Sequence, residues 1–382
     1  MNTFVFNPVT VGSFVFFISF LIGLFGYESN VDNYYYTLFY PFIFLISGLF
    51  FTKLLNVENL KYSVSRQSSY NIVVDFFLFL FYLSVFFSSI KLLQIIYSLS
   101  AGNNLRVVER LVVFGGPLGS VLIQILPCLL FNYLLQNRHK PKVLFIILGV
   151  IGCFAIPVKT HVISSLILLF LALSLISKNS SFFSLFKKAL IFLLIVLLIL
   201  FLTMYFRLDG AEFSFVIEKF WLTFRHYTSF NVGNLALEFS NPYPLTFGLH
   251  TFSQVLDLTH FLTYGERFID RNLGGGGLYS VVDGRFLIRI SPGTNMAGAP
   301  TVWIWDFGLL ASFLFTILYA FIIILLVKIA LVLRLYILYG VSYLIGFFFF
   351  WDFDLFETRF QVVYILCFFS IILSLLNDKI YK

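Results

Sequence analysis

Six arginines carry the most distinctive chemistry in this sequence. Arg207, Arg225, Arg267, Arg271, Arg285 and Arg289 all fall between residues 207 and 302, in a chain with only 11% charged residues. A guanidinium fork holds a phosphate through two parallel hydrogen bonds. Six forks in one segment of so apolar a protein point to an anionic substrate. Beside a bilayer, the phosphates at hand are lipid headgroups and lipid-linked pyrophosphates. The competing reading pairs each arginine with one of the segment's eight acids or with a headgroup. Three of the five histidines, His226, His250 and His260, share the segment. Histidine can take or give a proton near neutral pH, although a single one is more often a hydrogen-bonded structural residue. Four consecutive glycines, 274–277, cannot hold regular structure cheaply. They suit a tight bend, a close approach to a ligand or a plain surface turn. No His/Asp/Glu cluster has metal-ligand spacing, and neither GxSxG nor a P-loop is present, which argues against a serine hydrolase and an NTPase motor.

The elements that position these groups follow from composition. The 382 residues are 60% hydrophobic and 20% aromatic, whereas a soluble domain carries about 25% charged residues. The excess apolar surface requires a lipid solvent, so the chain is expected to be an all-α polytopic membrane protein. A spanning helix needs about 17–25 apolar residues. Ten candidate spans fit, at 9–26, 34–52, 72–90, 111–136, 143–158, 162–177, 189–206, 303–327, 335–350 and 360–376, and twelve is the upper limit of the reading. Lys159 and His161 predict a tight turn between the fifth and sixth. The first run lacks a basic flank and a cleavage site, so it is expected to stay as a helix. Cys128, Cys153 and Cys367 lie in apolar runs without metal-ligand spacing, which argues against disulfides and structural zinc.

Thirteen of the 25 basic residues lie in the short segments 53–71, 137–142, 178–188, 328–334 and 377–382. The positive-inside rule then places these segments, and both termini, in the cytoplasm. The net charge of +7 reports those loops and implies no nucleic acid. The short outer loops hold Lys91, Arg106, Arg110, Lys159 and Arg359. Three regions result: an N-terminal bundle of about seven helices over 1–206, a large outer loop over 207–302, and C-terminal helices over 303–382. Within the loop, Phe213, Val216, Ile217, Phe220, Trp221 and Phe224 recur at helical spacing, which predicts an interfacial amphipathic helix over 212–230. Arg225 and His226 sit near its end. Residues 240–248 carry two prolines and must be irregular, 250–262 suits a second short helix, and 284–290 an extended piece. Acids are nearly absent from the spans. Asp75 and Asp306 lie near span ends, which weakens a proton-coupled transporter reading.

After the loop comes Thr294-Asn295, then Trp303 and Trp305, then Asp306-Phe307-Gly308 at the start of a membrane helix. This pattern resembles the bacterial oligosaccharide repeat-unit polymerases, the Wzy-type O-antigen polymerases. The layout is similar over most of the chain: about ten spans, one large late outer loop, and a basic residue, Lys159, between two mid-chain spans. Many relatives carry arginine at that place, and lysine cannot form the same fork.

The resemblance implies an enzyme of the cytoplasmic membrane whose active loop faces outward. Donor and acceptor are undecaprenyl-pyrophosphate-linked oligosaccharides, the product is O-antigen or capsular polysaccharide, and neither cofactor nor metal is expected. A chain-length regulator and a flippase are the implied partners, besides the bilayer. On this reading Arg225, Arg285 and Arg289, with Lys159, Arg271 and Asn295, hold pyrophosphate and sugar. The base for the acceptor hydroxyl is one of His226, His250, Glu238 and Asp257, unranked. Rival readings are the related O-antigen ligase, a flippase or exporter, and a membrane acyltransferase. The absence of internal repeats and charged midplane residues weighs against the second, and no paired His-Asp arrangement supports the third.

Overall fold

The structure is a computed structural model. It describes residues 7–24, 33–57, 72–101, 116–136, 142–153, 155, 159–176, 212–228, 299–350 and 358–380, with single positions between 191 and 239. Among these residues the fold is entirely helical. In chain order the helices are α1 (Pro8–Leu24), a 3-10 turn (Tyr34–Leu38) running into α2 (Phe39–Leu54), α3 (Ile72–Ser100), α4 (Gly116–Gln136), α5 (Val143–Gly152) and α6 (Lys159–Ile176). There follow α7 (Phe213–Thr228), α8 (Ala299–Phe307), α9 (Leu309–Val332), α10 (Tyr336–Phe348) and α11 (Thr358–Ile380).

Among the described residues, four helical stretches are long and apolar enough to cross a membrane: Tyr34–Leu54, Ile72–Ser98, Leu118–Gln136 and Leu309–Val332. They fall where the second, third, fourth and eighth spans are expected. The helices at Pro8–Leu24, Val143–Gly152, His161–Ile176, Tyr336–Phe348 and Gln361–Ile372 are apolar but shorter. Two details differ from expectation. The third helix does not stop at 90 but runs to Ser100, carrying Lys91 within it. The sequence after Lys91 stays apolar, and the first breaker signals are Gly102, Asn103 and Asn104, so nothing ends the helix sooner. The expected span at 303–327 is broken at Gly308, whose φ of 85° no β-carbon-bearing residue adopts easily. As expected, α5 and α6 are separate helices, but Lys159 and His161 lie in the first turn of α6 and not in a turn between the two.

The chain groups into two compact units. The first comprises Met1–Asn59, Trp221–Lys328 and Ile345–Thr358. Small residues bring its backbones close. A β-carbon on Gly12 would lie 2.0 Å from the Gly346 carbonyl oxygen, and one on Gly48 would lie 2.3 Å from a Val9 methyl. In lipid, close approach and interhelical hydrogen bonds replace the hydrophobic drive as the cause of association. Both devices are present here. The Asn7 carboxamide accepts from Val9 N–H at 3.0 Å, capping α1, and donates to Thr52 Oγ1 on α2 at 2.8 Å. The Tyr34 hydroxyl donates to the Phe20 carbonyl at 2.9 Å. An aromatic nest fills the centre. Phe44 stacks on Phe349 at 4.1 Å, Phe16 meets Phe350 at 4.4 Å, and Trp303 and Tyr319 flank Phe349 at 5.5 and 5.0 Å.

The second unit comprises Leu60–Phe220, Ile329–Leu344 and Arg359–Lys382. Its contacts form a ladder that fixes helix direction. At one level Phe81 of α3 stacks on Tyr133 of α4 at 4.5 Å, and the Lys142 N–H before α5 donates to the Tyr133 hydroxyl at 3.1 Å. One step along, a β-carbon on Gly149 would touch Phe81 and Leu130. At the next level, one on Gly152 would touch Ser88 and Leu126. Rising numbers in α3 and α5 thus match falling numbers in α4, so α3 and α5 run together and α4 runs against them. Ser164 of α6 lines a cleft with Gln124 and Cys128. Leu168 lies near the residue-131 level, where both border Gly340, so α6 runs with α4.

Candidate functional site

The first candidate region is the entry to α9. Helix α8 begins at Ala299, whose N–H donates to the Phe349 carbonyl at 3.0 Å, giving a partner to one of the four N–H groups that a helix start leaves open. It ends at Gly308, whose N–H returns to the Ile304 carbonyl at 2.9 Å in a left-handed C-cap. Ser312 N–H then donates to the Gly308 carbonyl at 3.0 Å and opens α9. One glycine therefore closes one helix and starts the next. Asp306, in the last turn of α8, is fully buried, as are Thr301 and Ile304 on either side of Trp303. At the start of α9, the Tyr40 hydroxyl is hydrogen-bonded to Ser312 Oγ, and its ring stacks on Phe313 at 4.6 Å. The Asp306-Phe307-Gly308 sequence is thus a built corner, with a buried carboxylate next to a left-handed backbone that favours glycine.

The second candidate region is one end of the second unit. Lys91 is only 3% exposed and shares a face of α3 with the fully buried Ser84 and Ser88. The Ser88 hydroxyl donates to the Val85 carbonyl at 2.9 Å, and Gly152 is the residue that leaves it room. Lys91 lies three residues beyond Ser88, toward the end where α5 finishes and α6 begins. There His161 is 4% exposed, and its carbonyl accepts from Ser165 Oγ at 2.8 Å. Pro127 sits inside α4 and lines a cleft with Gln124, Ile125, Cys128, Ser164, Leu344 and Val363. Its volume of about 10 Å³ has room for about one water. Lacking an N–H, Pro127 leaves the Ile123 carbonyl without its usual helical donor, which neighbouring hydroxyls or water replace in membrane helices. Cys128, Cys153 and Cys367 are buried free thiols. Among the described residues no group of three His, Cys, Asp or Glu could hold a metal ion.

The residues singled out from sequence are distributed unevenly. Arg225 and His226 lie in α7, which forms over Phe213–Thr228 as the periodicity predicts. Phe213, Ile217 and Trp221 of that helix are 60%, 47% and 56% exposed, one apolar stripe at i, i+4 and i+8, while Val216 is fully buried. Lys219 sits over the Phe215 ring at 5.3 Å. Such a helix, apolar along an exposed stripe and basic at its C-terminal end, suits a membrane surface. Lys159 opens α6, where the unpaired N–H groups of the first turn favour an anion over a second cation. Glu238, His250, Asp257, Arg271, Arg285, Arg289 and Asn295 lie outside the described residues, as do the tetraglycine and the pieces expected at 240–248, 250–262 and 284–290.

Sequence reading missed Lys91, taken as part of an outer loop. The signal that would have found it is the helical spacing of Ser84, Ser88 and Lys91, a polar line inside an apolar run. No known protein family, curated protein or solved structure matches the chain.

Proposed function

We propose that this chain is a polymerase of lipid-linked oligosaccharides in the bacterial cytoplasmic membrane. Ten helices span the bilayer, both termini face the cytoplasm, and residues 207–302 stand on the outer side. Donor and acceptor are undecaprenyl-pyrophosphate-linked repeat units. A hydroxyl of the incoming unit attacks the anomeric carbon of the growing chain. The new glycosidic C–O bond forms as the C–O bond to pyrophosphate breaks. The hydroxyl proton passes to a base among His226, His250, Glu238 and Asp257. The lipid pyrophosphate departs with a negative charge that Arg225, Arg285, Arg289 and Lys159 neutralise, with Arg271 and Asn295 in the same cradle. Preorganised charge of this kind commonly supplies more of an enzyme's rate enhancement than any other single effect.

One observation carries the reading. The segment rich in arginine leads directly into the Asp306-Phe307-Gly308 corner, where a buried carboxylate and a left-handed glycine set the entry to a membrane-length helix. A polar loop tied to a rigid corner at the lipid boundary is what a reaction on a lipid-linked substrate needs. The apolar stripe of α7 supports the same placement for Arg225 and His226.

The test is genetic and chemical. In a deletion strain, surface glycan reduced to single repeat units identifies the polymerase, and unattached long chains identify the ligase instead. Complementation with R285A at normal protein level should leave short chains. Full-length product from that variant removes Arg285 from the cradle, and a cytosolic location for residues 207–302 ends the proposal.

A further inference from the structure

Helix α10 is too short for its place. Its 13 residues reach about 20 Å, against a hydrocarbon layer about 30 Å thick. A helix that stops inside lipid leaves carbonyls without donors, which is tolerated only where protein supplies the partners. Phe348 and, just past the helix end, Phe349 and Phe350 are buried. The Phe349 carbonyl accepts from the Ala299 N–H at 3.0 Å. That donor is the first residue of α8, a helix of 9 residues, about 13 Å long.

The contacts of the first unit fix the direction of both pieces. Helix α9 runs with α2, since Tyr40 stacks on Phe313 at 4.6 Å and Phe51 meets Phe321 at 5.1 Å. Helix α1 runs against α2, since Asn7 bonds to Thr52 at 2.8 Å and Phe20 stacks on Tyr34 at 4.8 Å. The end of α10 runs with α1: a β-carbon on Gly346 would reach Pro8, and Phe350 meets Phe16 at 4.4 Å. It therefore runs against α9. So does α8, because Phe307 meets Phe315 at 4.6 Å, while Trp303, one turn earlier, meets Tyr319, one turn later, at 5.3 Å. Thus α8 and the end of α10 point the same way, and α8 begins at the level where α10 stops. Phe349 marks that level, touching Tyr319 at 5.0 Å as well as Ala299. Tyr319 lies ten residues beyond Leu309, about 15 Å along α9 and about half the depth of the layer.

We infer that α10 and α8 form one membrane crossing in two pieces, joined near mid-depth between residues fifty positions apart. Head to tail they reach about 33 Å, enough to cross. The negative end of one helix dipole meets the positive end of the other. Pro300, next after Ala299, has no N–H to satisfy. Helix α8 is accordingly re-entrant: with the first half of α9 it forms a hairpin whose tip, Gly308, stands at the membrane surface. Hydropathy orders these residues the other way, with 299–302 in water and Gly308 inside a span over 303–327. The arginine-rich segment is therefore fastened to α10 inside the membrane and not at its surface. Which surface holds the tip rests on the orientation in the proposed function; the two-piece crossing does not.

The experiment measures depth. The full chain, with its three buried cysteines replaced by alanine, carries one nitroxide at a time at Val302, Leu310, Leu314 or Leu318 in phosphatidylcholine liposomes. Power saturation with oxygen and a nickel chelate reads each depth. Leu310, Leu314 and Leu318 are exposed along α9 and serve as the ruler, each about 6 Å further from the tip than the one before. The Val302 label should lie about 6 Å deeper than the Leu310 label, at the level of Leu314. A Val302 label level with Leu310 or shallower overturns the crossing. If V302C does not fold, A299C, a small residue for a small residue, carries the test with a membrane-impermeant maleimide. The native thiols then stay, and the wild-type protein sets the baseline. A299C should react about tenfold or more slowly than L310C. Equal rates, or no labelling of L310C from either side, overturn the crossing. Labelling of L310C from the cytoplasmic side alone leaves the crossing standing and ends the outer placement in the proposed function.

Discussion

Replacing Gly12 by alanine should cost more than any other glycine-to-alanine change in the described helices. A β-carbon there would sit 2.0 Å from the Gly346 carbonyl oxygen and 2.9 Å from its carbon, where ordinary contact begins at 3.4 Å. Both obstacles are backbone, and the reverse change is blocked too, since a β-carbon on Gly346 would lie 2.4 Å from the Pro8 carbonyl oxygen. No side chain can rotate away, so α1 has to retreat by about an ångström. A radial gap of 0.5–1 Å forfeits about a quarter to a half of each dispersion contact it opens. The contacts at risk include Phe16 on Phe350 at 4.4 Å and the fully buried Val9. Overpacking of this kind costs about 1–3 kcal/mol, here at the upper end, and the better helix propensity of alanine returns at most about 1 kcal/mol. The net loss is about 2 kcal/mol, roughly thirtyfold in the folding equilibrium. Gly149 is the control. Its added carbon would meet Leu130 Cδ1 at 3.0 Å and two Phe81 ring atoms at 3.3 Å, all side-chain atoms that need give only a few tenths of an ångström, so G149A should cost far less than G12A. The assay is heat-induced loss of the monodisperse peak in detergent, where G12A should melt about 4 °C or more below wild type. If G12A and G149A both melt with the wild-type protein, the backbone crossing does not hold the first unit together and the reasoning fails.

Two further changes probe the corner and the cap. Gly308 has a φ of 85°, so G308A should lose about 1–2 kcal/mol to left-handed strain, and G308N, which tolerates that region better, should melt between the two. Equal melting of all three would show that the α8–α9 corner relaxes freely. Asn7 both caps α1 and donates to Thr52 at 2.8 Å. N7A should therefore cost about 1–2 kcal/mol, N7D should keep the cap and lose the donor, and a double-mutant cycle with T52V should show coupling. Strict additivity would mean the interhelical bond contributes nothing.

The membrane character of the chain was legible because composition alone decides the solvent. The amphipathic helix at Phe213–Thr228 was legible for a similar reason: its apolar residues repeat at the period of a helix and at no other. The split between α5 and α6 could be read because Lys159 and His161 interrupt an apolar run near Pro157. Gly308 was harder. A lone glycine between Phe307 and Leu309 is common inside membrane helices, so neither composition nor hydropathy separates a tolerated glycine from a corner. What separates them is the Ala299 tie to Phe349, a contact between residues fifty positions apart that no local pattern contains. The site residues within 241–298 were read from type alone, and their geometry lies outside the described residues.

Lys91 shows why a charge misleads when spans are drawn from hydropathy. A scale counts its ammonium as a boundary and ends the helix there. The fold counts hydrogen-bond continuity, which runs unbroken to Ser100, and it weighs the charge by what surrounds it. A helix of this length can hold a lysine inside only where its surroundings offer polar atoms or space. The same charge that hydropathy reads as the edge of the membrane is then a group kept inside the protein.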